Sequence, residues 1–308
     1  MNILLLGGAG FLGTNLAESL ARNSRDRITV VDAKKEFFHL KKGNVIFKES
    51  QLNSNTDFEK LINDHEIIYH LVSTTVPTTS NQHILEELDA NVLMTAKLLD
   101  ACVKTGTKKI VFISSGGTVY GKSSNCPLSE TMETNPITSY GVQKLTIEKL
   151  LYLYYEMYGL DYRIIRMANP YGPYQRPNGL LGVVTTFVYK ALKDEEIVVY
   201  GDGSIIRDFI YIEDAITAMI KITFGEHKDK LYNLGSGYGT SINQVIKTIE
   251  SCLNKSLNVS YIPGRKVDVP INFLDMTRYE RNFGLLNGLT LNEGVLKTSD
   301  FMSEYYGI

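Results

Sequence analysis

The chain has 308 residues, 44% of them hydrophobic, which is enough for one large core or two modest domains. Its formal net charge is -2, and Lys and Arg are scattered among Asp and Glu, so no basic face is expected to bind nucleic acid or an anionic membrane. No run of about 18 apolar residues occurs, so no membrane span is expected. No basic segment precedes the first apolar run, so no signal peptide is expected.

The first predicted element is an apolar strand at residues 2–6, which runs into Gly-Gly-Ala-Gly-Phe-Leu-Gly and then into a helix over 13–23. A strand that turns sharply into a helix beneath a pyrophosphate needs positive φ, close backbone approach and room for strand and helix to touch, and glycines supply all three. The unpaired amides and the dipole of the helix N-terminus would bind a diphosphate. The predicted cofactor-binding residues of this turn are Gly7, Gly10, Phe11, Leu12 and Gly13.

A second strand, predicted at residues 28–31, ends in Asp32. This acid lies about 20 residues beyond the glycines, where a ribose-binding carboxylate is expected. It would accept hydrogen bonds from the ribose hydroxyls and repel a 2′-phosphate, which favours NAD over NADP. Lys34 and Lys35 could ease NADP binding, although a solvated lysine pair is the simpler interpretation.

Short β-rich runs then alternate with helical patterns. Strands are predicted at 45–47, 67–71 and 110–114, and helices at 58–63, 84–104 and 139–158. This alternation predicts an α/β fold with a parallel, doubly wound sheet of the Rossmann type. In the helix over 84–104, apolar residues recur at steps of three and four, the period of a buried stripe. The stripe consists of Leu85, Leu88, Val92, Ala96 and Leu99.

After about Arg166 the pattern loosens into prolines, glycines and mixed short elements. We predict a NAD-binding domain over 1–166, to which parts of 200–235 return. Residues 167–308 would form mainly a smaller mixed α/β lobe that caps the ligand edge of the sheet and binds substrate. The three cysteines, Cys102, Cys126 and Cys252, are widely spaced and lack metal-binding motifs, which favours free thiols in the cytoplasm and no bound metal.

The most chemically suggestive pair is Tyr140 and Lys144, four residues apart on a predicted helix and therefore on one face. An unperturbed tyrosine has a pKa of about 10, so it needs a nearby ammonium to exchange protons near neutrality. A surface tyrosine beside a solvated lysine would look the same. The functional interpretation is favoured because Ser-Ser-Gly-Gly-Thr-Val-Tyr-Gly at 114–121 ends the fifth strand, at the edge where such sheets bind ligands.

With these motifs together, the chain resembles the extended short-chain dehydrogenase/reductase family, in particular its nucleotide-sugar epimerases of the UDP-glucose 4-epimerase type and its dehydratases. The matching segments are GGAGFLG at 7–13, HLV at 70–72, SSGGTVYG at 114–121 and YGVQK at 140–144. Further matches are RMANPYGPY at 166–174, GDG at 201–203, RDFIYIED at 207–214, YNLGS at 232–236 and RKVD at 265–268. The resemblance covers nearly the whole chain.

The resemblance implies a role for each matched position. Tyr140 would be the acid/base, and Lys144 would hold the nicotinamide ribose and lower the pKa of the tyrosine. Leu71 and Ser114 would also contact the cofactor. The implied substrate-binding residues are Asn169 near the phosphates, Arg207 and Arg265 as a clamp on the diphosphate, and Asp268 on the nucleotide ribose. A guanidinium suits the clamp because it binds phosphate oxygens in pairs, although surface ion pairs for the arginines and a turn for Asp268 are the alternatives.

One departure from the family pattern affects catalysis. Gly116 stands where the epimerases carry Ser or Thr, whose hydroxyl bonds the sugar 4-hydroxyl. Ser115 or Thr118 must replace it, and we prefer Thr118, although a structural threonine on a buried strand is nearly as good an interpretation. The acid pair of the dehydratases is absent, which disfavours dehydration. The loop at 73–77 also departs from common epimerase sequences and is expected to shape the sugar pocket.

The resemblance therefore implies NAD-dependent epimerisation at C4 of a nucleotide-diphosphate hexose, of the UDP-glucose and UDP-galactose type, through a transient 4-keto sugar. Its product would supply surface polysaccharide. The same residues could instead serve an NAD(P)H-dependent reductase of a nucleotide-linked 4-keto-6-deoxy sugar. A non-catalytic dinucleotide-binding sensor is a third reading, which the intact Tyr140 and Lys144 argue against.

The resemblance also bears on partners. The predicted helices over 84–104 and 139–158 correspond to those that form a four-helix homodimer interface in related enzymes. Tyr152, Leu153 and Tyr155 could belong to that contact or to the core of the monomer. Asn272 stands where side-chain size can govern tolerance of an N-acetyl group, and its intermediate size leaves the sugar open.

Overall fold

The computed structural model describes residues 1–35, 38–75, 80–123, 125–177, 181–265 and 269–308. The strands are β1 (Asn2–Leu6), β2 (Arg27–Asp32), β3 (Val45–Glu49), β4 (Ile67–His70), β5 (Lys109–Ser115), β6 (Asp161–Met167), β7 (Asn169–Tyr171), β8 (Ile197–Tyr200), β9 (Ile206–Arg207), β10 (Phe209–Tyr211), β11 (Leu231–Leu234), β12 (Thr240–Ser241), β13 (Val259–Ile262) and β14 (Ile271–Asn272). The helices are α1 (Phe11–Leu20), α2 (Phe58–Ile62), α3 (Ile84–Leu88), α4 (Met94–Thr105), α5 (Ser139–Tyr158), α6 (Val183–Leu192), α7 (Ile212–Phe224), α8 (Ile242–Leu253), α9 (Thr277–Phe283) and α10 (Leu291–Tyr306).

Seven strands form one parallel sheet in the order β11-β6-β5-β4-β1-β2-β3. Alternate residues of a strand face opposite sides of a sheet, so Ile3 and Leu5 of β1 join one core and Leu4 and Leu6 join another. Helices cover both faces, which explains why the central strands are apolar throughout. The predicted doubly wound Rossmann-type fold is confirmed.

The helix predicted over 84–104 is interrupted. A π-helical turn at Asp89–Leu93 separates α3 from α4, with Asn91 Nδ2 donating to Glu87 O at 3.0 Å and Thr95 Oγ1 donating to Asn91 O at 2.5 Å. The wider turn changes which residues face the sheet. As a result Leu99 is buried, whereas Leu85 of the predicted stripe is 79% exposed.

The predicted helix over 139–158 is confirmed at both ends. The Thr138 side chain accepts a hydrogen bond from the Gly141 amide, and Gly159 ends the helix with a φ of 70°. Both are strong local signals, because a threonine satisfies unpaired amides and glycine adopts the left-handed region without strain.

Beyond β6 the chain builds small sheets that pair β7 with β10, β8 with β13, and β9 with both β12 and β14. It then returns to the main sheet, where β11 lies parallel to β6 with Leu234 opposite Met167. Asn169 and Arg207 stand on these small sheets, close to the carboxyl ends of the main strands. Within the described ranges, no helix is both long and apolar enough to cross a bilayer.

Candidate functional site

The turn between β1 and α1 has the geometry that a diphosphate requires. Gly7 has a φ of +77°, and a Cβ added at Gly13 would lie 2.4 Å from Gly8 Cα, so both positions need glycine. At Gly10 the nearest atom to an added Cβ is Gly7 O at 3.6 Å, which leaves space above the turn. No side chain in the described part of the chain caps the first amides of α1, so these amides are available to an anion.

Asp32 is held at the rim of this turn. Its Oδ2 accepts a hydrogen bond from the Ala9 amide at 3.0 Å and its Oδ1 one from the Ala33 amide at 2.7 Å. Leu71 follows β4, donates its amide to Leu6 O at 2.9 Å and packs partly buried beside the first core. The glycine turn, the acid and Leu71 therefore meet at one edge of the sheet, and this arrangement fits NAD.

Tyr140 and Lys144 lie side by side on α5, facing the end of β5. Lys144 Nζ donates to Ile113 O at 2.9 Å and lies 4.7 Å from the centroid of the Phe112 ring and 5.6 Å from that of Tyr140. The Phe112 ring thus packs beneath the Lys144 ammonium, and the Ile113 carbonyl of β5 fixes the position of that ammonium. The two side chains predicted to act together are neighbours in the fold.

Burial dominates the protonation of this pair. It raises the pKa of the Tyr140 hydroxyl to about 12, so the phenol is favoured despite the neighbouring ammonium. Burial also lowers the pKa of Lys144 to about 8, against the opposing attraction of the Glu148 carboxylate. A tyrosine that acts near neutrality from this position therefore needs further positive charge beside it, in addition to Lys144.

Beneath the end of β5 lies a buried ion pair that the sequence analysis missed. Arg166 donates from Nε to Glu148 Oε1 at 3.0 Å and from Nη2 to Oε2 at 2.6 Å, and both side chains are 5% exposed. Ser114 Oγ donates to the same Glu148 Oε1 at 2.5 Å. The hydroxyl predicted to contact the cofactor is thus bonded to the carboxylate, which in turn lies one helical turn from Lys144.

The position of the missing hydroxyl is filled by an apolar side chain. A Cβ added at Gly116 would lie 2.6 Å from Leu274 Cδ1. Nearby, Thr118 Oγ1 is buried without a hydrogen-bond partner among the described residues, whereas Ser115 is half-buried at the end of β5. Thr118 therefore offers a free hydroxyl beside the position that lacks one.

Asn272 connects this strand end with the predicted phosphate clamp. Its Nδ2 donates to Gly116 O at 3.2 Å, while its Oδ1 has no partner in the part of the chain that the structure describes. On β14 it pairs with Arg207 of β9. Arg207 donates from Nη1 to Ile206 O at 2.8 Å and to Val269 O at 2.6 Å. The sheet register thereby places Arg207 close to the end of β5.

The other predicted substrate residues have distinct surroundings. Asn169 donates both its amide and its Nδ2 to Asp208 O, at 3.0 and 2.9 Å. Arg265 stacks its guanidinium 3.5 Å from the centroid of the Tyr200 ring, so it is not placed against Arg207 by the contacts of the described residues. Asp268 and part of the loop at 73–77 lie outside the described residues.

The described part of the loop at 73–77, which the sequence analysis expected to shape the sugar pocket, faces Tyr140 and Lys144. A small cavity of about 10 Å³ separates these two side chains from Ser73, Thr75 and Asn91. This is about the space that one water molecule needs.

Comparison with known proteins identifies a family and relatives that match most of this chain. A model of the NAD dependent epimerase/dehydratase family matches residues 3–235. A putative UDP-glucose 4-epimerase of Methanocaldococcus jannaschii is 31% identical over 310 residues, covering 97% of this chain and 98% of that protein. A dTDP-4-dehydro-6-deoxyglucose reductase of Escherichia coli is 30% identical over 307 residues, covering 96% of this chain and 95% of that protein.

This chain superposes on the solved structure of a UDP-glucose 4-epimerase of Thermotoga maritima with UDP-glucose, with a TM-score of 0.93. The two sequences are 31% identical, and the match covers 99% of this chain and 100% of that one. The family match includes the glycine turn, Tyr140 and Arg207, and ends before Arg265.

Proposed function

This chain belongs to the NAD dependent epimerase/dehydratase family, and from that membership we propose that it interconverts the C4 epimers of UDP-glucose and UDP-galactose. It is an enzyme of the nucleotide-sugar epimerase type, with NAD as its cofactor. The observation that carries the proposal is the position of Tyr140 beside Lys144, at the same sheet edge as the glycine turn and Asp32. Acid/base and hydride chemistry at one carbon need this juxtaposition.

In the proposed reaction Tyr140 takes the proton from the sugar 4-hydroxyl as C4 is oxidised. It returns the proton after the 4-keto sugar has rotated in the pocket to present its other face. NAD, when bound on the glycine turn, supplies the acceptor and donor of the C4 hydride. Lys144 binds the nicotinamide ribose and, with the positive charge of the cofactor, opposes the effect of burial on the pKa of Tyr140. Thr118, or Ser115 beside it, bonds the sugar oxygen at C4 in place of a side chain at Gly116.

We assign the diphosphate to Arg207 and Arg265, and the region beside the phosphates to Asn169. Asp268 would bind the ribose. These residues need to hold the nucleotide while the hexose rotates. Their contacts therefore lie away from C4, and their binding energy does not restrain the sugar ring. In this proposal the Arg265 guanidinium, which stacks on the Tyr200 ring, turns toward the phosphates when substrate binds.

A second candidate is reduction of a nucleotide-linked 4-keto-6-deoxy sugar. It is favoured by the absence of a hydroxyl at Gly116 and by the 30% identity with the reductase of Escherichia coli. Tyr140 would then act only as an acid, and the cofactor would have to exchange in each turnover. Retention or exchange of the cofactor therefore distinguishes the two functions.

The deciding experiment is NMR of UDP-glucose and UDP-galactose with enzyme purified without added cofactor. Interconversion over many turnovers is the expected result, and Tyr140→Phe should lose about 100-fold or more in kcat. Tyr154→Phe is a matched control, because it also removes a tyrosine hydroxyl from α5. That hydroxyl donates to Asp100 Oδ1 at 2.5 Å and lies away from the site.

If the wild-type enzyme converts neither sugar, this substrate pair is excluded. UDP-glucuronic acid, UDP-N-acetylglucosamine and the reduction of 4-keto sugars would then be the next assays.

We further propose a homodimer through α4 and α5. The outer face of α5 exposes Tyr152, Leu153, Met157 and Tyr158, each by 46% or more, and a partner helix would cover such side chains. Light scattering should give twice the mass of one chain, and Leu153→Asp should give monomers. The free thiols Cys102, Cys126 and Cys252 support the cytoplasmic location proposed for this enzyme.

A further inference from the structure

The first turn of α5, which carries Tyr140, is capped mainly from outside the helix. The Ser139 amide donates to Asn81 Oδ1 at 2.9 Å and the Tyr140 amide donates to Ser80 Oγ at 3.1 Å. Only the Gly141 amide is capped locally, by Thr138 Oγ1 at 3.2 Å. The two remote caps lie 58 and 60 residues earlier in the chain, just before α3.

Ser80 is the cap that matters most for Tyr140. Its side chain is fully buried, at 0% exposure. A water molecule from the solvent therefore cannot simply replace its hydroxyl if that hydroxyl is removed. Asn81 is exposed, so water can take over its role on the Ser139 amide.

The same stretch of chain contacts α5 beyond Tyr140 as well. The Thr74 amide donates to Asn91 Oδ1 at 3.2 Å, and Asn91 Nδ2 donates to Gln143 Oε1 at 2.8 Å. Gln143 Nε2 in turn donates to Glu87 Oε2 at 3.0 Å. The first turns of α5 are thus bonded to α3, to the π-helical turn and to Ser80 and Asn81, while Thr74 reaches them only through Asn91.

We propose that Ser80 is a positioning residue for the acid/base tyrosine. Its hydroxyl fixes the backbone of Tyr140 and so sets where the phenol oxygen lies relative to C4 of the sugar. The proposal rests on the function proposed for Tyr140 above. A phenol oxygen lies at the end of a long side chain, so a small rotation of the first turn moves it far enough to misalign proton transfer.

The kinetic test compares Ser80→Ala with Ser80→Thr, which keeps the hydroxyl. Ser80→Ala should lower kcat about tenfold to 100-fold, with KM for the UDP-sugar and the NAD content unchanged. Ser80→Thr should recover most of that loss. Asn81→Ala is a second variant, in case the buried site rejects the methyl group added in Ser80→Thr. It removes the other remote cap, which water can replace, so kcat should fall only a few-fold.

A matched control is Thr290→Ala, which removes a side-chain cap from α10, bonded to the Glu293 amide at 3.3 Å. It should lower the melting temperature and leave kcat unchanged. If Ser80→Ala keeps kcat within twofold of the wild type, or lowers kcat no more than Thr290→Ala does, Ser80 does not position Tyr140.

Amide hydrogen exchange tests the cap without any substrate. Exchange across residues 139–141 should be faster in Ser80→Ala than in the wild type, and Ser80→Thr should restore the slow rate. Unchanged exchange would overturn the proposal. Absence of UDP-hexose turnover in the wild type would instead count against the proposed substrate, because the exchange result does not depend on it.

Discussion

Leu274 occupies the space in which a side chain at Gly116 would begin: an added Cβ would lie 2.6 Å from Leu274 Cδ1. Leu274 is fully buried, and its amide donates to Asp208 Oδ2 at 3.1 Å, so its backbone is fixed. The loss of the hydroxyl at the end of β5 is therefore accompanied by a filled space. Restoring the hydroxyl requires a change at both positions.

We predict that Gly116→Ser alone destabilises the protein by about 1–3 kcal/mol, because it overpacks the space that Leu274 fills. Leu274→Ala alone should cost about 2–5 kcal/mol through the cavity it leaves. The double variant should be more stable than the sum of the two losses predicts. Urea unfolding of all four proteins measures this coupling, and strictly additive losses would show that the two residues are independent.

Lys144 gives a prediction for stability against pH. Burial lowers its pKa from 10.5 to about 8, so the folded state binds fewer protons than the unfolded state between these values. The cost of the buried ammonium is therefore fully present below pH 8 and disappears as pH rises toward 10.5. Lys144→Met should be more stable than the wild type by about 1–3 kcal/mol at pH 7, with the advantage shrinking above pH 8.

Urea unfolding of both proteins between pH 7 and 10 measures the difference. A difference that stays constant across this range would mean that the ammonium is not destabilised by burial. Activity should be lost in Lys144→Met at every pH.

The buried ion pair should be costly to break from one side. Glu148→Gln leaves the Arg166 guanidinium without its carboxylate, and we expect a loss of about 3–5 kcal/mol in the free energy of unfolding. Lys104 and Glu59 form an exposed pair at 2.5 Å, so Glu59→Gln is the matched control and should change the free energy of unfolding far less than Glu148→Gln. Equal losses in the two variants, measured in urea, would contradict the distinction.

Cofactor preference should depend on Asp32. Asp32→Ser removes the carboxylate at the rim of the glycine turn, where we propose that the ribose binds, and we expect about tenfold weaker NAD binding together with stronger NADP binding. Calorimetry on cofactor-free protein measures both affinities. Asp57→Ser, at the N-terminus of α2, should change neither, and an unchanged ratio in Asp32→Ser would remove this residue from the cofactor site.

Local signals predicted much of this structure. Thr138 and Gly159 mark the two ends of α5 by capping and by left-handed backbone, and short apolar or β-branched runs placed β1 and β2. The glycine turn was predictable because Gly7 needs a positive φ and Gly13 needs close approach to the backbone of Gly8. Tyr140 and Lys144 were predicted to be neighbours because the helical period alone brings them together.

Contacts between remote residues were beyond prediction. Asn91 in the π-helical turn bonds Gln143, 52 residues away, and no periodicity encodes this bond. Asn272 reaches Gly116 across 156 residues, and Ser80 reaches Tyr140 across 60. Such pairs depend on the packing of the sheet, so a single sequence supplies the side chains without their partners.

The return of β11 to the main sheet limits how this enzyme can be recombined with its relatives. Because β11 lies against β6 after the chain has formed β7 to β10, a chimera joined only at Arg166 would pair strands from two parents. Mismatched side chains across that pair would expose or overfill the core around Tyr232. Exchange of substrate specificity by swapping segments therefore needs a second junction before β11, and a third after β11 if the segment beyond that strand is exchanged as well, so that β6 and β11 come from the same parent.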